Sequence, residues 1–314
     1  MTLTQLSAFV LVARLGSVKA AAGVLGVSEP AVSQALSALR AHLGDQLVLR
    51  AGSGMTLTPG GNRLLAIASQ MVALGAEAEA AVRVARGAPE QLRVVATSTI
   101  AEFVATPLVD AFAGRVGGAV EASCGVASGA EMPVLVTNRL ADLALGPNLT
   151  DASAGLVSEP IFRCRLIAVA APRFRPRGGV GQACWLVDPS ATDPGSDTSR
   201  LLMKLGVPEE RVRVFPNQTA AWAAAADGAG VAPAIAHLVA QRIRRGELTV
   251  VETPVTPIET RWHATTLSPD RRPVVAGSLR RFLGTPEAMR LMKAPGTGVP
   301  PSRFRPPVYV TIWS

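Results

Sequence analysis

Residues 17–50 read Ser-Val-Lys-Ala-Ala-Ala-Gly-Val-Leu-Gly-Val-Ser-Glu-Pro-Ala-Val-Ser-Gln-Ala-Leu-Ser-Ala-Leu-Arg-Ala-His-Leu-Gly-Asp-Gln-Leu-Val-Leu-Arg. The stretch parses as two short helices joined by a tight turn. Ser17 is an N-cap, its hydroxyl placed to take an orphan N–H of the first turn. Val18, Ala21, Ala22 and Leu25 follow at i, i+3, i+4 and i+7, one apolar stripe. Gly26 stands where a left-handed residue ends a helix. Ser28 caps the next helix, with Pro30 in its first turn, where a missing N–H costs little.

The second helix has two expected faces. Val32, Leu36, Leu39 and Leu43 form a buried stripe. Pro30, Ser33, Gln34 and Ser37 form the opposite one, small and uncharged. Exposed helix faces usually carry Lys and Glu, whereas Ser and Gln suit close contact with base edges in a major groove. A generic helical hairpin with an Ala-rich surface is the alternative. Upstream, Thr2 and Gln5 form a capping box opening a first helix that buries Leu6, Phe9, Val10 and Ala13. Downstream, Leu47–Arg50 and Met55–Thr58 flank Ala51-Gly52-Ser53-Gly54 as a hairpin wing. Arg50 on that wing either reaches phosphate or is an ordinary solvated arginine.

Leu6, Phe9, Ala13, Gly16-Ser17, Ala20-Ala21-Ala22, Leu25, Val27-Ser28, Pro30-Ala31-Val32-Ser33, Leu39, Leu43-Gly44, Leu47, Arg50 and Leu57-Thr58-Pro59-Gly60-Gly61 together resemble the N-terminal signature of LysR-type transcriptional regulators. The resemblance is dense over about the first sixty residues and weaker beyond. It departs at Glu29, where many members have Gln; at Arg40, where Glu is usual; and at Val48-Leu49-Arg50, which replaces Phe-x-Arg. The first departure bears on operator sequence and the other two on packing. The resemblance implies Ser17, Ser28, Glu29, Pro30, Ser33, Gln34, Ser37 and Arg50 as DNA contacts. It further implies a dimer or tetramer on double-stranded DNA.

The chain has 314 residues, 48% of them apolar, enough for two or three domains. It carries no run of eighteen apolar residues and no basic n-region before an apolar stretch, so the expectation is a cytoplasmic protein with no membrane segment. The formal charge is +8, but residues 1–87 contribute only seven basic groups against four acidic ones, and residues 270–314 eight against two. DNA binding is therefore argued from the motif, and charge is only permissive. Cys124, Cys164 and Cys184 are odd in number and widely spaced, which fits buried small hydrophobes better than a disulfide framework, a zinc site or a redox sensor.

Thr58-Pro59 opens a long helix. Leu64, Leu65, Ala68, Met71, Val72, Ala78 and Val82 keep its period to Arg86, a span of roughly 40 Å. Such a stripe must be buried, either on the chain's own domains or, as the resemblance favours, on the same helix of a second subunit. Gly87-Ala88-Pro89 is the expected hinge.

From Leu92 onward, short apolar strands alternate with helices, an α/β grammar with mainly parallel strands. Expected strands are Leu92–Ala96, Val120–Ser123, Leu143–Leu145, Leu166–Ala170, Trp185–Val187, Val212–Phe215 and Val231–Ala232. Helices are expected near 100–113, 130–140, 197–205, 219–227, 234–245 and 273–292. The chain passes to a second half near Pro160-Ile161 and returns near Arg261–Leu267. Strand ends and helix starts place Ser98, Thr99, Asn148, Asn217, Gln218 and Thr219 at a cleft between the halves, with simple capping as the alternative for each. Ser98 and Thr99 match the principal effector position of the resembled family. Helix N-termini favour a small organic anion. Arg173, Arg175 and Arg177 suggest a solvated loop, and Gly228-Ala-Gly230 tight packing near a cleft wall.

No metal-ligand spacing, nucleophile motif or phosphate loop points to an enzyme, and no cofactor is expected. The expected architecture is an all-α winged helix-turn-helix over 1–58, a linker helix over 59–87, and a two-lobed α/β effector domain of periplasmic-binding-protein type over 91–293. Lobe I would take about 91–160 and 267–293, and lobe II about 161–266. A Pro- and Gly-rich tail, 294–314, ends in the strand-like Val308–Trp313. A small-molecule-binding protein whose N-terminal helices make only protein contacts, and an enzyme using the α/β part, are the competing functions.

Overall fold

The computed structural model describes residues 1–51, 54–149, 155–176 and 178–294. Three helices form the N-terminal core: α1 (Leu3–Leu15), α2 (Val18–Leu25) and α3 (Glu29–Leu43). The Thr2–Gln5 capping box forms in full, and Ser17 and Ser28 accept from the N–H groups of Ala20 and Ala31. Leu6, Phe9, Leu25, Val32, Leu36 and Leu39 are buried where the helices meet. Each such side chain contributes roughly 1.5–3 kcal/mol over exposure. Leu43 was expected in the same stripe and is exposed: α3 ends there, beyond the reach of α1.

The wing is a hairpin of β1 (Val48–Ala51) and β2 (Gly54–Leu57), pairing Val48 with Leu57 and Arg50 with Met55. Arg40 has a clear packing role. It donates from Nε to the Gln46 carbonyl at 2.8 Å and from a terminal nitrogen to the Val48 carbonyl at 3.0 Å, tying the end of α3 to the wing.

The linker helix α4 spans Pro59–Ala85 and is capped by Thr58. Its expected single stripe divides in two. Ala68 and Val72 are buried against α1, whereas Met71, Ala78 and Val82 stay exposed, joined by Ile67 and Leu74. By length and composition alone α4 could cross a membrane, contrary to the expectation from apolar runs. Here it packs on α1, and Gly75 is so close to Leu3 that a Cβ would sit 2.7 Å from its Cδ1.

The remaining strands are β3 (Glu90–Ala96), β4 (Val120–Val126), β5 (Leu143–Gly146), β6 (Leu156–Ala170), β7 (Trp185–Val187), β8 (Val212–Val214), β9 (Ala232–Ile235), β10 (Thr249–Val251) and β11 (Ile258–Leu267). In lobe I, β3 pairs in parallel with β4 and β5. In lobe II, β7 pairs in parallel with β8. The mainly parallel expectation fails along the strands that join the lobes. The long strands β6 and β11 run antiparallel to each other from one lobe to the other, and β5, β9 and β10 join them antiparallel. Two strands that must carry the chain out and back are antiparallel by construction. Helix 234–245 begins later, at α10 (Ala236–Arg244), because Ala232–Ile235 pair with β6.

Helical turns fill the loops. Ser98–Ile100 (α5) leads into a π-helical segment, Ala101–Ala105, and then α6 (Thr106–Arg115). They are followed by α7 (Met132–Thr137), shorter than the expected 130–140, and by α8 (Asp197–Lys204) and α9 (Gln218–Ala226). Helices α11 (Val274–Leu283) and α12 (Pro286–Lys293) return to pack on α6. The expected tail strand at 308–313 lies outside the described residues, as does Arg177. Arg175 donates to the carbonyls of Pro172 and Phe174 on its exposed loop. Gly230 is packed so tightly that a Cβ would meet the Cys184 carbonyl at 2.2 Å.

Candidate DNA interface and effector cavity

Helix α3 starts at Ser28 and turns its apolar side inward. Ser28, Glu29, Pro30, Ser33, Gln34 and Ser37 therefore lie together on its exposed side, and Arg50 is exposed on the adjoining wing. The Ser and Gln side chains of α3 and the Arg50 side chain of the wing are thus left open to solvent. Ser17 is placed differently. It lines a cavity of about 390 Å³ between α2 and the α/β part, with Lys19 and Val24 on one wall and Val126, Glu131 and Leu135 on the other.

A larger cavity of about 1180 Å³ lies between the two lobes. The turn after β3 brings in Thr97, Ser98 and Thr99, and the turn after β5 brings in Asn148. Thr97 makes no side-chain cap bond, and the hydroxyls of Ser98 and Thr99 make no hydrogen bond among the described residues. Gln218 and Ser196 enter from lobe II. The floor is formed by the crossing strands, where Arg163 and Arg261 are direct register partners. Neither makes an ion pair among the described residues, although Glu259 lies two residues along on the same strand. Like charges opposed across a strand pair are unfavourable unless an anion meets them. His263 also lines the cavity; burial, outweighing its contact with the Arg261 carbonyl, holds it below the usual histidine value and so favours the neutral ring.

The cleft brings together four of the six expected effector residues and leaves out two. Asn217 caps α9 by accepting from the Ala220 N–H at 2.8 Å. The Thr219 N–H is spent on the Glu102 carboxylate at 3.1 Å, and neither residue lines the cavity. Gln218 lines it, but its backbone N–H also goes to Glu102, at 3.0 Å, and its side-chain nitrogen goes to the Pro233 carbonyl. An anion from the chain itself therefore occupies the helix start at which an effector anion was expected. Glu102, Arg163, Arg261 and Asp193 escape a motif-based reading. For Glu102 the signal was one acid inside the apolar run Ile100–Ala105.

Burial pushes the thiols of Cys124 and Cys164 up to about 12, which removes the thiolate needed for redox chemistry.

Residues 3–62 match the model of the bacterial regulatory helix-turn-helix protein, lysR family, and residues 85–285 match the LysR substrate binding domain. The chain belongs to the LysR family. It is a DNA-binding transcriptional regulator with an effector-binding domain. An uncharacterised HTH-type transcriptional regulator of Mycobacterium tuberculosis is 34% identical over the full length of both chains. Full-length LysG of Corynebacterium glutamicum, solved with bound effector Arg, shares the LysR fold at a TM-score of 0.53 and 20% identity, covering 96% of this chain and 100% of its own. ArgP of Mycobacterium tuberculosis does so at 0.52 and 21%, covering 89% and 96%.

Proposed function

We propose that this LysR regulator is controlled by a small organic anion bound between its lobes, and that it reads DNA through Ser28, Glu29, Pro30, Ser33, Gln34 and Ser37 with Arg50 on the flanking backbone. The observation that carries the effector reading is the interlobe cavity, in which the paired, unneutralised Arg163 and Arg261 face the same space as the hydroxyls of Ser98 and Thr99. The arginines supply the charge and the hydroxyls the orientation. Asn148 and Gln218 also line it, as do the carboxylates of Glu131, Asp193, Asp197 and Glu259, which an effector anion must avoid. The exposed stripe of α4 supports self-association, which would place two recognition helices on one operator. The division into 1–58, 59–87 and 91–293 belongs to the same proposal.

The test begins with selection of genomic fragments by the full chain at physiological salt. A recurrent two-half-site sequence is expected. A panel of mono- and dicarboxylates is then screened by thermal shift, and hits are assayed for altered operator binding. Thr99→Val should weaken the response about tenfold by removing one hydrogen bond, and Arg163→Gln with Arg261→Gln should weaken it further. Carboxylate binding without any selected DNA would instead mark a small-molecule-binding protein with protein-contact helices. Hits unaffected by these variants would displace the site.

A further inference from the structure

Glu102 is 2% exposed and sits in the π-helical segment Ala101–Ala105, which packs on β3 and β4 of lobe I. Its carboxylate crosses to lobe II, where Oε2 accepts from the Gln218 N–H at 3.0 Å and Oε1 from the Thr219 N–H at 3.1 Å. These are the first N–H groups of α9, a helix of nine residues packed on β6, β7 and β9. Beside it, Phe103 of the same segment stacks on Trp222 of α9, with centroids 5.1 Å apart. A second carboxylate crosses in the other direction: Asp193 of lobe II accepts from the Gly129 N–H of lobe I at 2.9 Å. Gly129 and Asp193 both line the large cavity.

We propose that Glu102 is a positioning residue, an internal carboxylate that latches lobe I onto the start of α9 and so sets the lobe angle at which the cavity is presented. An acid buried this deeply is costly unless its oxygens are satisfied, and here both are, by donors that the helix end leaves without intrahelical partners. Burial raises the Glu102 pKa, while bonds from Thr219 and Gln218 pull it back and the nearby Asp188 charge adds to the rise. A π-helical turn is an unusual geometry that recurs at functional positions, and this one carries the acid that bridges the lobes. One consequence is that the first N–H groups of α9 are already taken and do not meet an effector anion, which leaves its charge to the arginines and its orientation to side chains, that of Gln218 among them.

The experiment is residue-resolved amide exchange on the full-length protein. In Glu102→Ala the Gln218 and Thr219 amides should exchange about tenfold faster or more. Gly129, held by the separate Asp193 bond, should also exchange faster, because a freed lobe angle strains the second clasp. Sodium acetate, matched in ionic strength against sodium chloride, should restore protection at Gln218 and Thr219 by refilling the vacated carboxylate site, but not at Gly129, because free acetate caps the helix without tethering the lobes. If the alanine variant does not fold, Glu102→Gln keeps the volume and allows the same exchange comparison. Faster exchange at Gln218 and Thr219 with Gly129 unchanged would reduce Glu102 to a helix cap and overturn the latch. So would wild-type rates at Gln218 and Thr219.

Discussion

Gly61 lies against Leu47 so closely that a Cβ added to it would sit 2.1 Å from the Leu47 carbonyl oxygen. The same carbonyl accepts from the Thr58 N–H at 3.0 Å, and the Thr58 hydroxyl donates to Asp45 at 2.8 Å. Leu47 itself has φ of 59°, a left-handed conformation uncommon for a branched side chain. The start of the linker helix is thus knitted to the start of the wing, and Gly61 is the residue that permits the approach.

Gly61→Ala should destabilise the DNA-binding part by about 1–3 kcal/mol, because backbone must move to admit the methyl group. Gly114→Ala is the control: nothing lies within 4 Å of its Cβ position, near the end of α6, so that change should be neutral or stabilising by up to about 1 kcal/mol. Chemical denaturation of both variants makes the comparison. Equal stabilities would mean the wing and linker yield easily.

The exposed side of α3 and the wing should fail differently on DNA. Gln34→Ala should cost roughly 1–3 kcal/mol on the selected operator and little on a scrambled duplex, because a lost base contact relaxes specificity. Arg50→Ala should weaken binding to both duplexes alike and reduce the salt slope by about one unit. Affinity against salt for the two duplexes distinguishes these cases. Equal losses for Gln34→Ala on both duplexes, with unchanged circular dichroism, would remove α3 from the major groove.

Leu74 is 64% exposed and Ile67 56%, one heptad apart on α4. If a second copy covers them, Leu74→Glu should drive the protein to monomer mass by light scattering while leaving its helical content intact. Wild-type protein that is already monomeric at micromolar concentration would refute the shared-stripe arrangement.

His237 packs against Phe162 at 5.1 Å and Trp262 at 5.6 Å, with its Nε2 buried and without a hydrogen-bond partner among the described residues. Burial holds its folded pKa below the ordinary value near 6.5, a shift only partly opposed by a bond to the Met292 backbone. Its stability contribution is therefore complete above that value. It is lost as the pH falls, since the unfolded chain takes the proton and the folded chain resists it. The melting temperature should drop between about pH 7 and pH 5.5. His237→Phe should flatten part of that slope, and the depressed His263 should account for some of the remainder. A pH profile unchanged by the substitution would place the dependence elsewhere.

The helix-turn-helix was legible because its signals act within a few residues. Ser17, Ser28 and Thr58 cap the helices they precede, and the 3.6-residue period of Val32, Leu36 and Leu39 sets the inward face. The strand and helix alternation after residue 90 follows from equally local patterning, as does the place of Ser98 and Thr99 at the edge of the interlobe cavity. Orientation within the sheet did not follow. The period of a strand says which side is buried but not which neighbour runs beside it, and β6 and β11 became antiparallel only through the two-lobed topology. The exposure of Leu43 and the division of the α4 stripe depended on where α1 ends and which side it covers. The cavity's chemistry was decided furthest from the sequence. Arg163 meets Arg261 through strand register, Gly129 reaches Asp193 across 64 residues, and Glu102 reaches Gln218 across 116. Local sequence determines where a helix begins and that its first N–H groups need an acceptor. Only the tertiary structure, by bringing a distant carboxylate within 3.0 Å, decides that the acceptor is already part of the chain.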